Sequence, residues 1–200
     1  AQSYDFLYMK LQDFFRKFIS ERKIIFSSVP WDKVNILDAK FLCSVASSVG
    51  CNASFIDEND LYERLYRGEE TDCKAIIKIF PWHEIFEQNL DGLLLKEDRA
   101  VMEPPWKLLL GNKEILAILW ELFPGHPNLL PASQDPQKVP SPFIRKPANG
   151  AEGVDTKIMK RRGTRTSPEF QGPYIYQQYM KPPKLNGRNV IFCSWVVDGE

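Results

Sequence analysis

The sequence predicts a mixed α/β protein in two parts of different grammar. Helix and strand signals alternate to about residue 100, which marks an α/β layer built on a parallel sheet. After that, one helical pattern is followed by strand-length runs separated by Asn-Gly and Arg-Gly turns, the pattern of a mostly antiparallel α+β half. We therefore expect one region over residues 1–100 and a second over 101–200.

Tyr4, Leu7, Tyr8, Leu11, Phe14, Phe15 and Phe18 recur at three- and four-residue steps. That spacing puts them on one face of a helix ending near Glu21–Arg22. Lys23-Ile-Ile-Phe-Ser-Ser-Val29 is a β-rich run, closed by Pro30, which has no N–H for a ladder. Leu37, Phe41, Leu42, Val45, Ala46 and Val49 form a second helical stripe that stops at Gly50. Ala53–Ile56 is a second strand, and Asp57-Glu-Asn-Asp60 opens the next helix. Ala75–Phe80 is a third strand, and Pro81 starts a helix through Ile85 and Phe86, with Trp82 expected in the core.

The second half begins at Val101-Met-Glu-Pro-Pro-Trp106. Asn112 is the expected N-cap of a helix from Lys113 to Phe123. Pro131, Pro136, Pro140 and Pro142 read as a surface connection, extended or mobile. Four strands are expected over Phe143–Lys146, Val154–Met159, Tyr174–Met180 and Val190–Val197. Asn149-Gly150, Arg162-Gly163 and Asn186-Gly187 are the turns.

Lysine plus arginine number 26 and aspartate plus glutamate 26, so the formal charge is zero. Hydrophobic residues make up 44%, enough for a core, which excludes a wholly disordered chain. Zero charge weighs against a globally basic nucleic-acid binder. A local cluster, Lys157, Lys160, Arg161, Arg162 and Arg165, could still touch phosphates. It lies across a turn with no interleaved aromatics, so nucleic acid stays a secondary alternative. No apolar run is long enough to span a membrane, and the N-terminus is not signal-like. Cys43, Cys51, Cys73 and Cys193 fit no zinc spacing, and Cys43 and Cys193 read as core residues. Free cysteines without a secretion signal point to a cytoplasmic setting.

Three places carry possible chemistry. Lys146 precedes Pro147 and Asn149-Gly-Ala-Glu-Gly153, so an ammonium would stand beside a glycine loop whose N–H groups suit phosphate oxygens. The plainer reading is a solvated strand-end lysine. Lys113 stands near a helix start, where the macrodipole disfavours a cation unless an anion is bound nearby. Tyr174-Ile-Tyr-Gln-Gln-Tyr179 runs into Met180-Lys-Pro-Pro183, a stiffened strand end able to offer backbone groups to a flat heterocycle. His83 beside Glu84 is not a catalytic pair, since neighbours on a helix do not face each other. No Gly-x-Ser-x-Gly nucleophile motif is present.

The order of these segments is more informative than any one of them. Ile79-Phe-Pro-Trp82, Glu103-Pro-Pro-Trp-Lys107 and Gly111-Asn-Lys113 are followed by Leu122-Phe-Pro-Gly-His-Pro-Asn-Leu-Leu-Pro131 and Arg145-Lys-Pro147. Then come Glu152-Gly153, Gln177-Gln178 and Ser194-Trp-Val-Val-Asp-Gly-Glu200. This string resembles the synthetase domain of the glutathionylspermidine synthase family, an ATP-grasp group, from about Ile76 to the C-terminus and more loosely back to about Asp38.

The resemblance implies a pre-ATP-grasp α/β layer followed by a mostly antiparallel nucleotide-binding lobe. It implies an ATP-dependent carboxylate–amine ligase working through an acyl phosphate, with magnesium, a glutathione-like acid and a polyamine-like amine as partners. Lys113 and Lys146 match the family's nucleotide-contacting lysines. Glu152 and Gly153 match its phosphate loop, and Gln178, Tyr179, Met180 and Lys181 border the adenine. Gly150-Ala-Glu-Gly153 lacks the arginine of the family's loop, and the magnesium ligands are expected outside this chain. The chain is expected to be partial, ending just past a hairpin-like turn. A partial or catalytically degenerate module acting in binding is the alternative.

Overall fold

A computed structural model describes residues 2–19, 23–70, 72–96, 98–150, 153–160 and 172–190. The chain divides into two compact units, with the break between Pro105 and Trp106.

The first unit runs α1 (Gln2–Ile19), β1 (Lys23–Ser28), α2 (Lys33–Ser48), β2 (Asn52–Asp57), α3 (Glu58–Arg67), β3 (Cys73–Ile79), α4 (Trp82–Glu87), α5 (Asp91–Leu94) and β4 (Ala100–Met102). The strands form a parallel sheet in the order β2-β1-β3-β4. In register, Phe26 pairs with Phe55 and with Ile77. β1 is central, and Ile24, Ile25 and Phe26 are fully buried, which explains its unbroken apolar run. Alternate residues serve opposite faces. Ile24 and Phe26 join Ala75 and Ile77 against Leu11, Phe15, Val45 and Ala46 of α1 and α2. Phe15 meets Phe26 edge-on at 5.9 Å.

The helix ends have local causes. Asp32 caps α2, its Oδ1 accepting from Val34 N–H at 2.9 Å and Asn35 N–H at 3.2 Å. Asp57 caps α3 by accepting from Asp60 N–H at 3.0 Å. Gly68 closes α3 at φ 73°, a conformation that glycine takes without strain. Trp82 is buried as expected, with its indole N–H donating to Glu103 O at 3.0 Å. Leu37 departs from the expected stripe: it is exposed, and α2 buries Ala39, Val45 and Ala46 instead. β4 is absent from the sequence reading; three residues carry no periodicity of their own.

The second unit contains a 3₁₀ turn (Pro105–Lys107), α6 (Leu108–Gly111), α7 (Ile115–Leu122), β5 (Ala132–Ser133), a second 3₁₀ turn (Pro136–Lys138), β6 (Phe143–Pro147), β7 (Lys157–Met159) and β8 (Tyr174–Gln178). β9 (Lys184–Leu185) and β10 (Arg188–Asn189) follow. One antiparallel sheet has the order β5-β8-β6-β7. β9 and β10 make a hairpin whose two turn residues, Asn186 and Gly187, have φ 50° and 77°. Val139, Phe143 and Met159 form a small core with Tyr176.

The expected parallel-then-antiparallel architecture is thus present. Two details differ. The proline-rich stretch is not a free connection: β5 pairs with β8, Val139 is buried, and Pro131 O and Pro142 O accept from Gln178 N–H and Tyr179 N–H. β7 begins at Lys157, three residues later than expected, because Gly153 to Thr156 form a turn closed by Thr156 N–H on Gly153 O at 3.0 Å. The Arg162-Gly163 turn, Cys193 and nearly all of the Val190–Val197 strand lie outside the described residues.

Candidate functional site

Lys113 sits in the turn just before α7, held there by Asn112. Asn112 Oδ1 accepts from Glu114 N–H at 2.8 Å, and its carbonyl accepts from Ile115 N–H at 3.2 Å. Asn112 thus closes a turn and is not the expected cap of a helix from Lys113: α7 begins two residues later, at Ile115, with Glu114 at its N-cap and no side-chain cap. Lys113 N–H donates to Ala148 O at 2.9 Å, and its Nζ donates to Gly150 O at 2.6 Å. The backbone just after β6 and the lysine before α7 are thereby joined at two points.

Lys146 projects from β6 on the face that carries Ile175 and Gln177 of β8. Its Nζ donates to Gln177 Oε1 at 2.7 Å. Burial lowers the Lys146 pKa from its ordinary value, and the nearby Lys113 charge lowers it further. Burial lowers that of Lys113 too. The structure thus brings Lys113 and Lys146 within each other's field, each bonded to a neutral oxygen. Among the described residues neither pairs with a carboxylate. Other cations do: Lys23 meets Glu70 at 2.7 Å, Lys74 meets Asp98 at 2.7 Å, and Arg145 meets Asp155 at 2.9 Å. Two half-buried ammonium groups with no carboxylate partner among the described residues are an arrangement that suits an anion.

The remaining expected residues fall as follows. Gly153 adopts φ 77°, so the turn there requires glycine. Glu152 lies outside the described residues. The N–H groups of Gln178 and Tyr179 are engaged at 2.8 and 2.9 Å by the proline-rich stretch, so a heterocycle would have to meet the backbone beyond them. Met180 and Lys181 are exposed there. Among the described residues no hydrogen bond or ion pair joins Lys181 to the lysine pair.

Gln177, which holds Lys146, enters the sequence reading only as part of the Gln177-Gln178 motif, where Gln178 is the residue singled out for the site. Its signal lies in strand register: Ile144 pairs with Gln177, which makes Gln177 the diagonal neighbour of Lys146. In the basic cluster, Lys157 lies 3.2 Å from Asp155 Oδ1, and Arg161, Arg162 and Arg165 lie outside the described residues. His83 Nε2 and Glu84 Oε1 are 4.0 Å apart.

Among the described residues no group of three or more His, Cys, Asp or Glu side chains is arranged to hold a metal ion. The described residues thus do not fit magnesium. No helix among them is long and apolar enough to cross a membrane.

Known proteins resemble this chain along most of its length. A protein of Haemophilus influenzae with the provisional name acid–amine ligase is 28% identical over 174 residues, covering 78% of this chain and 44% of its own length. The bifunctional glutathionylspermidine synthetase/amidase of Escherichia coli is 33% identical over 131 residues, covering 62% of this chain and 21% of its own. Glutathionylspermidine synthase of Crithidia fasciculata is 29% identical over 121 residues, covering 52% and 17%. The chain spans less than half the length of these curated relatives. The family described as glutathionylspermidine synthase preATP-grasp matches residues 1–200, and the chain belongs to that family.

Proposed function

We propose that this chain belongs to an ATP-dependent carboxylate–amine ligase and that its second unit holds the nucleotide. The observation that carries this reading is the juxtaposition of Lys113 and Lys146, half-buried, facing neutral partners and lacking carboxylates among the described residues. Names of relatives supply the reaction type: an acid–amine ligase and glutathionylspermidine synthases.

In this reading a carboxylate oxygen of a glutathione-like acid attacks the terminal phosphorus of ATP, and ADP leaves. The acyl phosphate is then attacked by a polyamine-like amine at its carbonyl carbon, and phosphate leaves. Lys113 and Lys146 neutralise phosphate oxygens as charge moves onto the leaving group. Gly153 allows a turn close to the phosphates, with Glu152 beside it. Gln178, Tyr179, Met180 and Lys181 border the adenine. In this reading the ligands for magnesium come from outside the described residues. Ala151, where the family's loop has arginine, favours a second reading: a module that binds nucleotide without turnover.

Incubation with ATP, glutathione and spermidine tests the choice. The ligase reading expects ADP release that needs both acid and amine, an amide product by mass, and loss of both in Lys146→Ala. Saturable nucleotide binding without an amide supports the second reading.

A further inference from the structure

Asp155 is a buried carboxylate, bonded to Arg145 next to Lys146 in β6, that the proposed reaction does not use. Its side chain is fully shielded from solvent, and its backbone is left-handed at φ 46°. A buried carboxylate persists only when charges and hydrogen bonds surround it. Three strands supply them. Arg145 Nη2 of β6 donates to Oδ1 at 2.9 Å. Lys157 Nζ of β7 lies 3.2 Å from the same oxygen. The Tyr174 hydroxyl of β8 donates to Oδ2. The Arg145 guanidinium also lies over the Tyr174 ring, 4.4 Å from its centre.

The position of this cluster matters more than its strength. β6 lies between β7 and β8, so one carboxylate ties all three strands at the end of β6. Arg145 and Lys146 are consecutive and point to opposite faces. Bonds made to Arg145 on one face therefore set the backbone from which Lys146 projects on the other. Pro147, the next residue, pairs with Tyr174, which Asp155 also holds. Asp155 sits two residues past Gly153, so the same carboxylate anchors the far end of the glycine turn.

We propose that Asp155 is a positioning residue for Lys146, clamping the ends of β6, β7 and β8 so that the lysine meets its anion. The proposal rests on the nucleotide reading for what Lys146 meets, whereas the clamp itself can be measured without ligand. The charge-conserving Tyr174→Phe separates positioning from the direct field of the carboxylate, which acts on Lys146 whether or not the strands move.

Nitrogen-15 lysine NMR on the free protein follows the titration of Lys146 directly, with Lys78 of the first unit as the control for folding. In Tyr174→Phe, which leaves every charge in place, the Lys146 titration moves toward the ordinary lysine value of 10.5 while that of Lys78 stays in place; Asp155→Asn also removes a negative charge, which by itself lowers the Lys146 titration, so that variant is read by affinity. Titration with ADP then shows affinity reduced about tenfold or more in Asp155→Asn, since small misplacements are costly where geometry is set in advance. A folded Tyr174→Phe whose Lys146 titration matches the wild type overturns the proposal, as does a folded Asp155→Asn whose ADP affinity matches it. Should Asp155→Asn fail to fold, Tyr174→Phe decides alone. If the wild type binds no ADP, the nucleotide reading fails and the Lys146 titration alone decides the clamp.

Discussion

Lys78 shows how far a single residue is shaped by its position. It is the penultimate residue of β3, with a fully buried side chain. Its Nζ donates to Phe80 O at 2.7 Å, sits 4.4 Å from the centre of the Trp82 ring, and has Glu103 at 3.9 Å. Burial outweighs these partners and pushes its pKa from 10.5 down to about 8. The folded pKa is thus below the unfolded one, and between about 8 and 10.5 the unfolded chain binds more protons. Stability from this group therefore rises with pH across that window. Below it the penalty is complete, at about 3 kcal/mol from the size of the shift. Burial shifts half-buried Cys43 and buried Cys51 and Cys73 upward, and these pull the other way, so the comparison must be by difference. Urea unfolding of wild type and Lys78→Met should show their stability difference changing by about 3 kcal/mol between pH 7 and 10.5. A difference independent of pH would contradict this origin.

At the same scale, the legible residues were those whose meaning is local. Lys113 could be read because Asn112 beside it is a turn-closing residue, and Lys146 because Pro147 and the glycines follow it. Gln177 and Asp155 could not. Their roles depend on which residues of separate strands lie side by side, and register is settled by pairing and not by any one segment.

Among the elements, long periodic or fully buried segments were readable and very short ones were not. The α1 stripe, the apolar run of β1 and the Asn186-Gly187 hairpin each carry their own signal. β4 and β5 have three residues and two, and exist because β3 and β8 offer open edges. The prolines of the 131–142 stretch pointed to a free connection, yet their carbonyls accept from β8 and the following residue. Proline lacks a donor but keeps its acceptor. The start of α3 was readable at its capping residue Asp57, whereas the start of α2 at Asp32 was not read. Asp32 makes two capping bonds to α2, so Asp32→Ala should cost about 1 kcal/mol in urea unfolding, with Asp32→Asn recovering most of it. Equal stability of Asp32→Ala and wild type would show that the cap contributes nothing.

For the whole molecule, zero net charge hides local organisation. Most cations of the described residues named above meet carboxylates, and Lys113 and Lys146 do not. That contrast separates an anion site from ordinary surface charge, where exposed pairs contribute little. Family membership was legible in the order of short motifs along the chain, and the match over residues 1–200 agrees with it. The central claim is that the second unit holds a nucleotide through its lysine pair, and calorimetric titration with ATP addresses it most directly. We predict saturable binding by the wild type, at least tenfold weaker in Lys146→Ala and in Lys113→Ala, and weakening with rising pH before 10.5 because both lysines titrate early. No binding by the wild type, or equal affinity in both folded variants, would contradict the account.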